Sequence, residues 1–213
     1  MKIIETRKKK FIKRERERMN YEGSVTIILG CMFSGKSTEL LRRIRRGEIA
    51  NKKSVLIKYA KDTRYCDEEI CTHDRIKRVS YKSERLYETY NSNKNDFDGS
   101  DQIGIDEGQF FPDLVEFCEE MANKGKEVFV ALLNGNFARK EFEVNQIGNL
   151  IAISDEVVQM RAICNYCKKS EASFSKRIVD STETEVIGGT DKYNAACREC
   201  YHIVANANAI SNE

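Results

Sequence analysis

Residues 25–38 read VTIILGCMFSGKST. Val25-Thr26-Ile27-Ile28-Leu29 is an apolar run with the length of a buried strand, and Gly30-Cys31-Met32-Phe33-Ser34-Gly35-Lys36-Ser37-Thr38 follows at once. This is G-x-x-x-x-G-K-[ST] after a strand and at the mouth of a helix, where a phosphate-binding loop has to lie. A phosphate chain needs a concave ring of backbone N–H donors, and glycines let the backbone curl that tightly. Lys36 supplies a point charge for the β- and γ-phosphates, and the Ser37 hydroxyl can ligate Mg2+. The helix that starts here turns its positive end toward the same phosphates.

Outward from that loop, buried strands alternate with helices. The pattern predicts a helix over Thr38–Ala50, with Leu40, Leu41 and Ile44 inward and Arg42, Arg43, Arg45 and Arg46 outward. Strands are expected at Ser54–Tyr59, Gln102–Asp106 and Glu127–Leu133. Pro112 can open a helix, Leu114, Phe117, Cys118 and Met121 recur at helical spacing, and Gly125 stops it. Residues 81–101 are polar and read as a surface excursion without a core element. Continuous apolar strands separated by helices imply an α/β fold: a parallel sheet with helices on both faces.

A second acidic motif follows the strand Ile103–Ile105 as Asp106-Glu107. A carboxylate at the C-terminal end of a strand beside a phosphate loop can hold Mg2+, and its neighbour can orient an acceptor hydroxyl and take its proton. Asp106 is assigned to the metal and Glu107 to the base. His73 and His202 are the only histidines, and His73 reads as a loop contact rather than a catalyst.

The character of the chain changes near Ala162, where turn residues and cysteine pairs replace long periodic segments. Cys164-Asn165-Tyr166-Cys167 and Cys197-Arg198-Glu199-Cys200 are two C-x-x-C turns separated by 29 residues. Four thiolates fill a tetrahedral Zn2+ shell, leaving no open position, so the expected metal is structural. A redox dithiol is the rival, but such motifs come singly and beside a thioredoxin-like βαβ unit. Zinc would staple a segment too small to have its own core. Cys31, Cys66, Cys71 and Cys118 read as free thiols.

The chain has 213 residues and a formal net charge of +2, so no global basic field calls for a nucleic-acid partner. Residues 7–18, RKKKFIKRERER, are densely basic and read as a solvated tail. No stretch is long and apolar enough to span a membrane, and Met1-Lys2 is not followed by a secretory segment. The expectation is a cytoplasmic protein with no membrane contact. The expected organisation is a basic tail (1–22), a phosphate-loop domain (23–161), a zinc module (162–203) and a C-terminal tail (204–213).

The phosphate loop, the acidic pair and the four-cysteine module, in this order, resemble the thymidine kinases of the cytosolic and DNA-virus type. The stretches that carry the resemblance are MFSGKSTELLRRIRR (32–46), IKYAKDTRY (57–65), THDR (72–75), GIDEGQFFPDLVEFCEEMANKGK (104–126) and EVIGGTDKY (185–193). The resemblance covers about residues 24–203. It implies a RecA-like phosphate-loop domain, with a zinc-held lasso that closes over the nucleoside. It implies that Gly30–Thr38 and Asp106 hold MgATP, with Asp62, Thr63, Arg64 and Gln109 nearby, and that Glu107 is the base for the 5′-hydroxyl. It puts Met32, Phe110, Leu133, Phe137, Phe142 and Ser175 around the thymidine base. Thr184, Glu185, Val186, Ile187, Gly188 and Tyr193 would belong to the lasso. The implied reaction is phosphoryl transfer from ATP to thymidine, by a homotetramer that dTTP inhibits. Cys31 stands where the family usually has proline, and Asn134, Asn136, Glu141 and Glu143 depart from its pocket-loop pattern. Two other readings of the residues remain: a zinc-bearing, nucleic-acid-stimulated ATPase, and the same chemistry on another deoxynucleoside.

Overall fold

Alternation along each strand decides which helix it meets. Ser24–Gly30 forms β1, and its Val25, Ile27 and Leu29 join one apolar cluster while Ile28 joins another. Successive side chains of a strand point to opposite faces, so these clusters lie on opposite sides of the sheet. The computed structural model describes residues 23–62, 69–71, 77–142, 147–179 and 188–203. The tails 1–22 and 204–213, His73, Thr63, Arg64 and Thr184–Ile187 lie outside the described residues.

Helix α1 (Lys36–Ile49) covers the second face, burying Leu40, Leu41 and Ile44 against Ile28, Leu56 and Ala131. Ile44 is fully buried there, and truncating it to alanine would cost about 2–5 kcal/mol. The chain returns as β2 (Ser54–Tyr59), passes a short hairpin of β3 (Glu69–Cys71) and β4 (Lys77–Val79), and enters β5 (Tyr81–Ser83). Helices α2 (Leu86–Ser92) and α3 (Lys94–Asp98) follow, then β6 (Gln102–Ile105). A single 3-10 turn, Gly108–Phe110, leads into α4 (Leu114–Asn123), β7 (Glu127–Leu133), α5 (Ile147–Ala152) and β8 (Glu156–Met160).

Among the described residues the main sheet runs β5-β2-β6-β7-β1-β8, with every neighbouring pair parallel. Helices α2, α4 and α5 pack on the face opposite α1 through Leu86, Phe117, Met121 and Leu150. The parallel sheet with helices on both faces is therefore as expected. Strand β7 lies between β1 and β6, so the loop after β1 and the acids after β6 flank the C-terminal end of β7. In open α/β sheets ligands bind outside the carboxyl ends of the strands.

Residues 81–101 are not a surface excursion. Tyr81–Ser83 pairs with β2 as the edge of the sheet, and Leu86, Tyr90 and Phe97 are 0%, 5% and 0% exposed. Tyr90, Phe97 and Phe117 meet edge to face, with ring centroids 5.6–6.4 Å apart. Helix α2 has no cap from its own flank. The Asp113 carboxylate accepts the Leu86 and Tyr87 N–H groups at 3.1 and 3.0 Å instead.

From Ala162 onward the described strands are short. Strands β9 (Ala162–Ile163) and β10 (Glu171–Ala172) pair antiparallel, as do β11 (Phe174–Arg177) and β12 (Tyr193–Ala196). No described helix is long and apolar enough to cross a membrane.

Candidate active site and metal centre

Both glycines of the phosphate loop have a steric reason. A Cβ on Gly30 would lie 2.4 Å from Ser34 Oγ and 2.7 Å from the Met160 carbonyl, and Gly35 has φ +86°. Phe33 also has positive φ, 65°, which for a non-glycine residue stores about 1–3 kcal/mol and persists only where surroundings over-determine it. Those surroundings come from the second module. The Met32 N–H donates to Ser175 Oγ at 2.9 Å, and the Cys31 thiol to the Ala172 carbonyl at 3.3 Å. Cys31 is fully buried, and burial pushes its thiol pKa up. It shares an apolar cluster with Ala162, Cys164, Ala172, Ala195 and Cys197. Lys36 Nζ donates to the Cys31 carbonyl at 2.9 Å, so the ammonium lies over its own loop.

At the end of β6, the buried Asp106 accepts the Ser37 hydroxyl at 3.0 Å through Oδ1. Adjacent corners of an octahedral Mg2+ shell are about 2.9 Å apart, given bonds of roughly 2.0–2.1 Å. The two oxygens would need to move little to share one Mg2+ ion. Asp106 Oδ1 also accepts the Glu107 N–H at 3.1 Å. Glu107 has φ 56° and ψ 43°, a left-handed conformation that turns its side chain out of the strand direction. Gln109 Nε2 donates to Glu107 Oε2. Gln109 is fully buried, and its Oε1 accepts the Leu133 N–H at the end of β7 at 3.0 Å.

The residues expected around a nucleoside fall into two groups. Phe110 and Phe142 meet edge to face with centroids 5.9 Å apart, and Tyr59 stacks on Phe110 at 4.8 Å. Tyr59 was missed at the sequence level, although its place at the end of the second predicted strand could have flagged it. Phe137 turns to the second module. The Arg177 guanidinium lies 3.6 Å from its ring centroid, and its carbonyl accepts the Tyr201 hydroxyl at 2.6 Å. Arg177 also donates to the Tyr193 hydroxyl at 3.4 Å. Gly188 is buried, and in the turn after β2 the Asp62 N–H donates to the Tyr59 carbonyl at 3.0 Å.

Cys164, Cys167, Cys197 and Cys200 place their ligand sulfurs within 4.8 Å of one another. A tetrahedron with Zn–S bonds of about 2.3 Å has edges of about 3.8 Å, so small adjustments close the four sulfurs on one ion. Backbone N–H groups of Lys169 and Ser170 draw the Cys167 thiol down to about 6, whereas its hydrogen bond to Cys197 pushes Cys200 up to about 12. A bound cation would deprotonate all four thiols.

One ion-pair network pins the helix that carries the loop. Arg43 bridges Glu39 at 2.8 Å and Glu156 of β8 at 2.6 Å, and Arg42 also holds Glu39. The Arg42 hydrogen bond, with Arg43 beside it, holds the pKa of the Glu39 carboxyl down to about 2.

Residues 23–201 match the thymidine kinase family. The cytosolic thymidine kinase of Gallus gallus is 51% identical over 179 residues, which are 84% of this chain and 77% of that protein. The thymidine kinase of Vaccinia virus (strain Western Reserve) is 52% identical over 179 residues, 84% of this chain and 97% of that one. The cytosolic thymidine kinase of Homo sapiens is 51% identical over 179 residues, 84% and 73% of the two chains. With its match spanning the phosphate loop, the acidic pair and the four cysteines, the chain belongs to the thymidine kinase family.

Proposed function

We propose that this protein transfers the γ-phosphoryl group of ATP to the 5′-hydroxyl of thymidine, giving dTMP and ADP, with Glu107 as the base. The observation that carries the reading is the Ser37–Asp106 contact at 3.0 Å with Glu107 beside it. It supports one site for phosphates, a divalent ion and a second carboxylate, assembled from residues 69 apart in sequence. Glu107 accepts the 5′-hydroxyl proton as that oxygen attacks the γ-phosphorus in line and the bond to the ADP oxygen breaks. Mg2+, held by Ser37 and Asp106, supplies charge neutralisation on the phosphates when bound. Lys36 leaves the Cys31 carbonyl for the phosphates, and the loop N–H groups offset the charge on the transferring oxygens.

The aromatic group of Tyr59, Phe110 and Phe142 is suited to bind a base by stacking and apolar contact. Met32 of the phosphate loop and Ser175 of β11 meet where the loop touches the module, and the family resemblance assigns both to the pocket for the base. The RecA-like reading of the fold is supported by the strand β7 that lies between the phosphate-loop strand and the acidic strand. Zinc at the four cysteines is structural. A lasso over 184–188 and Tyr193, a homotetramer, inhibition by dTTP and a cytosolic home rest on the family resemblance alone.

The test is transfer of radiolabel from γ-labelled ATP across a nucleoside panel. Labelled dTMP with thymidine is the expected product. ATP hydrolysis that ignores nucleosides and responds to polynucleotide would replace this reading with a nucleic-acid-stimulated ATPase.

A further inference from the structure

We infer that Gln109 is a positioning residue for Glu107, fixing the base to the end of β7. This rests on the phosphotransfer reading above and assigns Gln109 a role different from contact with ATP. The side chain is fully buried, and both ends of its amide are engaged by protein. Leu133 presents an N–H, which only the amide oxygen can accept. The NH2 group is thereby forced toward Glu107, and the amide cannot flip without leaving both contacts mismatched.

Glu107 needs such a device. Its backbone is already held in the left-handed region, by its own N–H on Asp106 Oδ1 at 3.1 Å and by its carbonyl, which accepts the Phe110 N–H at 3.2 Å. Those bonds fix where the side chain starts. Gln109 adds a contact on the carboxylate itself by engaging Oε2. Leu133 is the last residue of β7, and the loop running to Phe142 begins next to it. The carboxylate is therefore referenced to the same strand end from which the nucleoside-facing loop departs. A base held in a productive geometry before substrate arrives avoids reorganisation during the reaction. A misplacement of roughly 1 Å can cost on the order of a hundredfold.

A double-mutant cycle on the full chain tests this, with kcat and both KM values measured for wild type, Gln109→Met, Glu107→Gln and the pair. The expected result is a loss of about 10–100-fold in kcat for Gln109→Met, with KM for ATP and thymidine within about threefold. In the Glu107→Gln background the same change should cost less than about twofold, because there is no base left to position. Equal losses in both backgrounds would overturn the inference and mark a packing role. A raised KM for ATP with kcat unchanged would overturn it in favour of direct nucleotide contact. Gln109→Asn keeps the amide chemistry but is one methylene too short to span the Leu133 N–H and Glu107 together. If the Met variant fails to fold, the cycle is run with Asn, under the same criteria. A wild-type chain that does not phosphorylate any nucleoside would sink the kinase reading itself, an outcome the cycle separates from failure of the Gln109 role.

Discussion

Ser175 Oγ accepts the Met32 N–H at 2.9 Å across 143 residues of sequence. The phosphate loop is thus held from above by the cysteine-bearing module, and the two sites share one core. A nucleotide loop with strained Phe33 depends on that contact for its shape.

Ser175→Ala should leave the Met32 N–H buried and unpaired, at a cost of about 1–3 kcal/mol. ADP affinity should fall by about fivefold or more, with zinc content unchanged. Calorimetric titration with ADP checks this. An unaltered Kd would show that the loop keeps its shape without the module.

Purified reduced protein should carry one zinc per chain, and Cys164→Ser or Cys197→Ser should release it. The thermal midpoint should drop, and ADP binding should weaken along with it, because Ala172 and Ser175 sit in the same module. Elemental analysis and ADP titration on the same sample decide it. Zinc-free protein that is equally stable would count against the four-thiolate site.

Glu107→Gln keeps size and the αL backbone and loses the proton acceptor. It should bind ATP normally and lose about a hundredfold or more in kcat. Near-normal turnover by rapid-quench phosphate transfer would remove Glu107 from the mechanism.

Much of this site was legible because its chemistry is local. Gly30–Thr38, Asp106-Glu107 and the C-x-x-C pairs each carry their meaning within a few consecutive residues. The strands Ser54–Tyr59 and Glu127–Leu133 were equally plain, being largely apolar runs. What stayed hidden depends on partners far along the chain. Tyr81–Asp98 looks polar because its elements are three to seven residues long and its helix is capped by Asp113 from α4's threshold. Strand β8 was not singled out, since it is an edge strand with Val157 46% exposed. The role of Gln109 needs the Leu133 N–H, and nothing in the motif announces that partner.

Thymidine should exceed deoxyuridine in kcat/KM by roughly 10–200-fold, the worth of one methyl in an apolar pocket. Deoxycytidine should fail more severely, because it offers a donor where thymine offers an acceptor and leaves buried groups mismatched. Steady-state constants for the three nucleosides check the order. Deoxycytidine equal to thymidine would reassign the substrate while keeping the kinase chemistry.

The place of β1 inside the sheet sets an order of events during synthesis. It is the first of the described sheet strands to be made, yet its neighbours are β7 and β8, and Thr26 waits 130 residues for Glu156. At ribosomal speeds of about 5–20 residues per second that wait lasts roughly 6–26 s. Until β7 is made the ribbon Val25–Leu29 lacks both of its final partners, and for the rest of the wait it still lacks β8. A nascent chain stalled before Leu133 is therefore a natural client for a holdase chaperone, whereas one that has emerged past Met160 can bury that ribbon on both sides.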